Sequence, residues 1–190
     1  MLLDLSHISY LKAKDFFKFF SETDINKLDL RQEEKDLFNG FEYYMASIIF
    51  AYTSLESFAN EMILEDYKFE SLRHDKKCAE LYNKEQIERN ISLKTKLGEI
   101  IPEITGIELP KDEILWNKFV EMEKIRDGII HMKSSDRKGL NRNTKEISYK
   151  HIWNRLINNV NFENYSKLSL GIIILFYNKK KSRWLQMYPN

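Results

Sequence analysis

Between Phe41 and Ile63 the chain reads FEYYMASIIFAYTSLESFANEMI, and this stretch decides the fold. Phe41, Tyr44, Met45, Ile48, Tyr52, Leu55, Ala59, Met62 and Ile63 fall on one stripe at the three- and four-residue spacing of an α-helix. A strand, with its period of two, cannot collect them on one face. The reading extends outward to a helix from about Gln32 to Phe69, long enough to form the backbone of a helical bundle.

Upstream, Leu5, Ile8, Leu11, Phe16 and Phe19 approximate the same period and predict a first helix from Leu5 to about Glu22, with Asp24 and Asn26 marking the turn after it. Downstream, Ser71 to Asn83 is polar and without clear period, the pattern of a loop or a short exposed helix. A third helix is expected from about Lys84 to Ile100, stopped by Pro102. Pro110 suits the first position of a fourth helix, with Asp112 and Glu113 in its first turn, running to about Lys133. The polar segment Ser134 to Glu146, with Gly139, reads as a loop. A fifth helix covers roughly Ser148 to Asn178, bent or broken near Asn158 to Asn161. The expectation is therefore an all-α bundle of about five helices.

Composition agrees. Only 6 Gly and 3 Pro in 190 residues leave little for the frequent turns of an all-β fold, and the length fits one domain over 1–190 with a basic, aromatic tail at 179–190. The 30 Lys and Arg against 29 Asp and Glu give a net charge of +1, so nucleic acid or anionic lipid would have to be met by a local patch rather than a bulk field. The single Cys78 excludes an intramolecular disulfide framework and a cysteine-based zinc site, as expected in a reducing cytosol. Met1 to Leu11 lacks the pattern of a signal peptide, and the apolar run Leu168 to Tyr177 is well short of the roughly 20 residues that span a bilayer. A cytoplasmic protein without membrane contact is expected.

The chain contains no Gly-rich phosphate loop, no His-Glu-x-x-His and no Gly-x-Ser-x-Gly. Its four His, at 7, 74, 131 and 151, are too scattered to suggest a metal cluster, and His7, His74 and His151 are given no role. His131 differs because it closes Arg126-Asp127-Gly128-Ile129-Ile130-His131. On a helical wheel Leu115, Phe119, Met122, Ile129 and Ile130 form one arc with Arg126 near its middle, an unusual place for a guanidinium. Asp127 and His131 are four apart, so the carboxylate can orient the imidazole. Gly128 costs about 1 kcal/mol against Ala in a helix, which points to a close approach there. On the long helix Glu56 lies at the edge of the apolar stripe, with Asn60 one turn further on. Because an unpaired buried charge costs several kcal/mol, Glu56 is expected to pair with Arg126.

The Arg-Asp-x-x-x-His hexad on a late helix of an all-α domain resembles the motif of the HEPN superfamily, an Arg and a His four to six residues apart, often with a polar residue after the Arg. The segment Ser54-Leu55-Glu56-Ser57-Phe58-Ala59-Asn60-Glu61 is similar to the Glu-containing helix of several prokaryotic branches. The match covers these two helices and the rest only in outline. The resemblance implies a metal-independent endoribonuclease, needing no cofactor, acting as a homodimer whose paired motifs leave a 2′,3′-cyclic phosphate. Arg126, His131, Asp127 and Glu56 would be its catalytic group and Asn60 a substrate contact. The resemblance also implies a role as toxin or defence effector, with an antitoxin or regulatory protein as partner. A non-catalytic HEPN module binding nucleotide, RNA or protein, or a helical scaffold with a structural Glu56/Arg126 pair, are the alternatives.

Two further features bear on RNA. The segment after His131 carries Lys133, Arg137, Lys138, Arg142 and Lys145 against Asp136, either a phosphate-contact loop or a solvated one. The tail mixes Lys179, Lys180, Lys181 and Arg183 with Trp184 and Tyr188, a combination that stacks on single strands but more often docks a tail on its core. Tyr43, Tyr44, Tyr52, Trp116 and Trp153 are expected in the core or a dimer interface rather than around a ligand.

Overall fold

A computed structural model of the chain describes residues 1–22, 30–72, 79–109, 114–131 and 163–177. Over these residues the fold is an all-α helical bundle with one small hairpin. Helix α1 spans Leu2–Glu22 and α2 spans Leu30–Met62. The stripe that defined α2 from sequence is its inner face: Phe41, Tyr44, Ile48, Tyr52, Leu55 and Ala59 are all buried.

Helix α2 ends at Met62 rather than Phe69, and the stretch expected to be a loop or short helix holds a β-hairpin. Strand β1, Phe69–Leu72, pairs antiparallel with β2, Ala79–Tyr82, in a register that sets Phe69 opposite Tyr82. Along β2 burial alternates against the apolar pattern of the sequence, with Glu80 and Tyr82 partly buried and Ala79 and Leu81 exposed. What holds the strands is tertiary: Tyr67, Phe69 and Tyr82 pack on the buried cluster of Ile63, Ile87 and Ile100.

The expected third helix is broken into pieces and runs past its predicted stop. Helix α3, Lys84–Asn90, opens with a capping box in which the Asn83 side chain accepts from the Gln86 N–H and the Gln86 side chain accepts from the Asn83 N–H. Ile91 then turns extended, Ser92 caps α4 (Leu93–Thr95), a π-helical turn occupies Lys96–Ile100, and α5 follows over Ile101–Thr105. Pro102 lies in the first turn of α5 instead of ending the helix. The missing N–H is tolerated there because the π-turn is handing over, with the Ile101 N–H reaching the Lys96 carbonyl. The stop is Gly106, in the left-handed region at φ 69° with its N–H on the Pro102 carbonyl. Helix α6 spans Ile114–Ile130 and α7 spans Tyr165–Phe176. Pro110, the segment 134–146, most of the first half of the expected fifth helix with Trp153, and the tail 179–190 lie outside the described residues.

The contacts group into two compact units, the first made of Met1–Tyr52 and Lys118–Leu170, the second of Thr53–Asn117 and Gly171–Asn190. In the first, α1 turns its small and polar residues inward. Leu3, Ser6 and Ala13 are buried, and the Ser6 hydroxyl donates to the Ser47 carbonyl at 2.7 Å. Leu5, Ile8 and Leu11, expected on the inner face, are 40%, 50% and 44% exposed. The wheel had followed the largest apolar residues, whereas close helix approach favours small ones: a Cβ on Gly40 of α2 would stand 3.1 Å from the Phe16 Cβ. The Tyr165 ring lies 6.5 Å from that of Tyr44, and the Ser169 hydroxyl donates to the Ala51 carbonyl. In the second unit, the Ile63, Ile87 and Ile100 cluster is the centre, and the rings of Phe58 and Tyr177 meet at 6.3 Å. Among the described residues no helix is long and apolar enough to cross a membrane.

The reassigned face of α1 makes a direct test. A Leu5→Gln, Ile8→Gln double variant should change unfolding free energy by no more than about 0.5 kcal/mol per site, while Leu3→Ala should cost about 2–5 kcal/mol. Urea denaturation measures both, and the reverse order would restore the sequence-derived face.

Candidate functional site

Helix α6 buries Trp116, Phe119, Met122 and Ile125 at steps of three, which keeps one side of the helix inward to its last turns. Arg126 falls on that same side near the C-terminal end. There its side chain is 27% exposed, and its guanidinium carbon sits 4.4 Å from the centroid of the buried Tyr52 ring. A guanidinium stacked on an aromatic face keeps its in-plane N–H groups available for acceptors. One of these donates to the Asp127 carboxylate at 2.8 Å. The Tyr52 hydroxyl in turn donates to Glu123 at a long 3.4 Å. Tyr52, Glu123, Arg126 and Asp127 thus form one polar group at the end of α6, in the first unit.

His131 follows in the turn after α6, exposed, with its backbone N–H on the Asp127 carbonyl at 2.9 Å. Sequence reading had Asp127 orienting the imidazole. The carboxylate is instead taken by Arg126, and the link between Asp127 and His131 runs through the backbone. Glu56 also differs from expectation. Arg126, in the first unit, is partly buried and has Asp127 as an ion-pair partner, while Glu56 lies in the second unit, where its charge acts on Lys96. Lys133, Arg137, Lys138 and Arg142 lie outside the described residues.

Lys96 is the functional group that sequence reasoning missed. At the first position of the π-helical turn it is fully buried, 0% exposed. Its ammonium donates to the Asn60 side-chain oxygen at 2.8 Å and to the Glu88 carbonyl at 3.0 Å. Burial pushes the Lys96 ammonium below its ordinary pKa, with the charges of Glu56 and Glu88 opposing the shift. A signal was present: Lys96 shares a helical stripe with Leu93, Leu97 and Ile100, the same anomaly that singled out Arg126. Asn60, expected as a substrate contact, is therefore held by a buried lysine. Among the described residues no three His, Cys, Asp or Glu side chains come together as metal ligands would.

No protein-family model, curated protein or solved structure matches this chain.

Two tests follow from this geometry. A double-mutant cycle between Arg126→Ala and Tyr52→Leu should give a coupling energy of about 0.5–1 kcal/mol, falling toward zero when Tyr52→Phe replaces Tyr52→Leu, since phenylalanine keeps the ring face and so the stacking. Coupling near zero would mean that the stacking carries no energy. For Lys96, the folded state holds its proton less tightly than the unfolded chain, whose value is the ordinary 10.5. Below the depressed folded value both states are protonated and the burial penalty is constant. As pH rises from there toward 10.5 the unfolded state binds more protons, so the stability of the wild type relative to Lys96→Met should climb. Denaturation series on both proteins from neutral to alkaline pH check the sign, and a falling difference would reverse it.

Proposed function

We propose that the chain is a metal-independent endoribonuclease of HEPN type, with Arg126 and His131 as its reacting residues. The observation that carries this reading is the Arg126 guanidinium, stacked on Tyr52 and tied to Asp127, about one helical turn before an exposed His131. A guanidinium locked in orientation suits a phosphate oxygen, because it meets the developing charge without reorganising. An exposed imidazole can reach a substrate and exchange a proton with it.

RNA supplies the nucleophile. A base removes the 2′-hydroxyl proton as the 2′-oxygen bonds to phosphorus; the bond from phosphorus to the 5′-oxygen breaks, and an acid delivers a proton to that oxygen. The products are a 2′,3′-cyclic phosphate and a 5′-hydroxyl. One His131 cannot be base and acid in the same step unless a proton returns to it, so a homodimer contributing two copies is the natural arrangement and the two-fold partner belongs to the proposal. Asp127 acts here as a positioning residue, holding Arg126. RNA as substrate, a toxin or defence role and an antitoxin or regulatory partner rest on the HEPN resemblance, and a cytoplasmic setting is proposed from the single Cys78. Lys133, Arg137, Lys138 and Arg142 are proposed to contact phosphates flanking the cut.

The experiment is cleavage of a labelled single-stranded RNA in EDTA. The wild type should give cyclic-phosphate ends. His131→Ala should lose cleavage while keeping its unfolding free energy within about 0.5 kcal/mol, since an exposed side chain contributes little packing. Arg126→Ala should lose cleavage as well. Undiminished activity in the His131→Ala protein, or activity abolished by EDTA, would overturn the mechanism.

A further inference from the structure

We propose that the second unit carries a nucleobase-recognition site of its own on α2, in which the Glu56 carboxylate and the Asn60 carboxamide, seated on the buried Lys96 ammonium, read the Watson–Crick edge of guanine. The argument starts from the ammonium. Lys96 has only donors, so the Asn60 atom 2.8 Å from its nitrogen must be the amide oxygen. That settles the amide's orientation: its oxygen is committed inward, and the end it presents away from Lys96 is the NH2 group, a donor. Lys96 cannot swing to release it, because it is fully buried and a second N–H is fixed on the Glu88 carbonyl.

Glu56 stands four residues before Asn60 and so shares its face of α2, with side-chain origins about 5–6 Å apart. Both residues are half-buried, reachable from solvent yet in surroundings where a hydrogen bond counts for more than in water. Glu56 is an acceptor with two oxygens, and Asn60 beside it is a donor. Guanine matches this order: its N1–H and N2–H2 groups lie side by side for a carboxylate, and O6 next to them accepts from an amide N–H. Adenine and cytosine offer the carboxylate one exocyclic donor. Uracil flanks its single N–H with two carbonyl oxygens, which a carboxylate repels. The held amide also lowers the ordering cost of recognition, since its rotamer is set before any ligand arrives. The site lies wholly within the second unit and does not rest on the ribonuclease reading.

The test is titration of the full chain with guanosine, adenosine, cytidine and uridine, followed by calorimetry and by the amide side-chain NMR signals. Guanosine should bind roughly tenfold or more tightly than the others and shift one Asn NH2 pair that disappears in Asn60→Asp. Glu56→Gln should weaken guanosine binding about tenfold or more. Asn60→Asp still offers Lys96 an acceptor, so it should stay folded by thermal unfolding while losing guanosine binding through replacement of the donor. Equal affinity for all four nucleosides, no binding at millimolar guanosine, binding of GMP but not guanosine, or wild-type affinity in both variants would overturn the site. Nucleoside binding is read without any cleavage, so a chain that cuts no RNA would still answer the question.

Discussion

A polar group turned toward the inside of a helical bundle must be given a partner before the helices can close, and both units are arranged around that constraint. In the first unit the inward groups are hydroxyls, and helix backbones serve as their acceptors: Ser6 on the Ser47 carbonyl, Ser169 on the Ala51 carbonyl. These residues are small, so the helices that carry them approach closely. In the second unit the inward group is an ammonium. Leaving it unpaired would cost several kcal/mol, and its two acceptors come from α2 and from the last turns of α3. A side chain at the start of a widened π-turn thereby ties α2 and α3 to its own segment.

The long helix was legible because its inner face is made of large apolar residues at unbroken spacing, and periodicity measures that directly. Helix α1 was legible as a helix but not in its orientation. Its exposed side holds Leu5, Ile8 and Leu11 and its buried side Ser6 and Ala13, so a rule that sends the largest apolar residues inward selects the wrong face. The hairpin was invisible for another reason. Burial in β2 falls on Glu80 and Tyr82 rather than on Ala79 and Leu81, so its apolar pattern points the wrong way, and the strands are held against Ile63, Ile87 and Ile100, residues distant in sequence from one another. Pro102 misled because its effect depends on helix register, and a change from π to α register is not written in local composition.

The candidate site was half legible. A charged residue on an apolar stripe is a physical anomaly visible without coordinates, and it led to Arg126. The same anomaly at Lys96 is harder to see, because the segment that reads as one helix from about Lys84 to Ile100 breaks at Ile91 and changes register in a π-turn at Lys96. Partners were harder. Four-residue spacing offers His131 to Asp127, but the guanidinium of the neighbouring residue takes the carboxylate. Tyr52 had been read as core, and it is buried. Its ring face nonetheless does what no apolar aliphatic side chain could: it lets a guanidinium sit against an apolar surface without leaving its charge unaccommodated.

The fully buried Lys96 and the partly buried Arg126 meet one constraint in opposite ways. Lys96 is a point charge held inward, with two of its three N–H donors on an amide oxygen and a backbone carbonyl. Arg126 is planar, has five N–H donors, and covers one face with Tyr52 while Asp127 takes part of one edge. Stacking uses the face, while the N–H donors lie in the guanidinium plane. A lysine at position 126 would lose the stacking plane and the fork together, so the planar cation suits the place beside Tyr52 and the point charge suits the two acceptors around position 96.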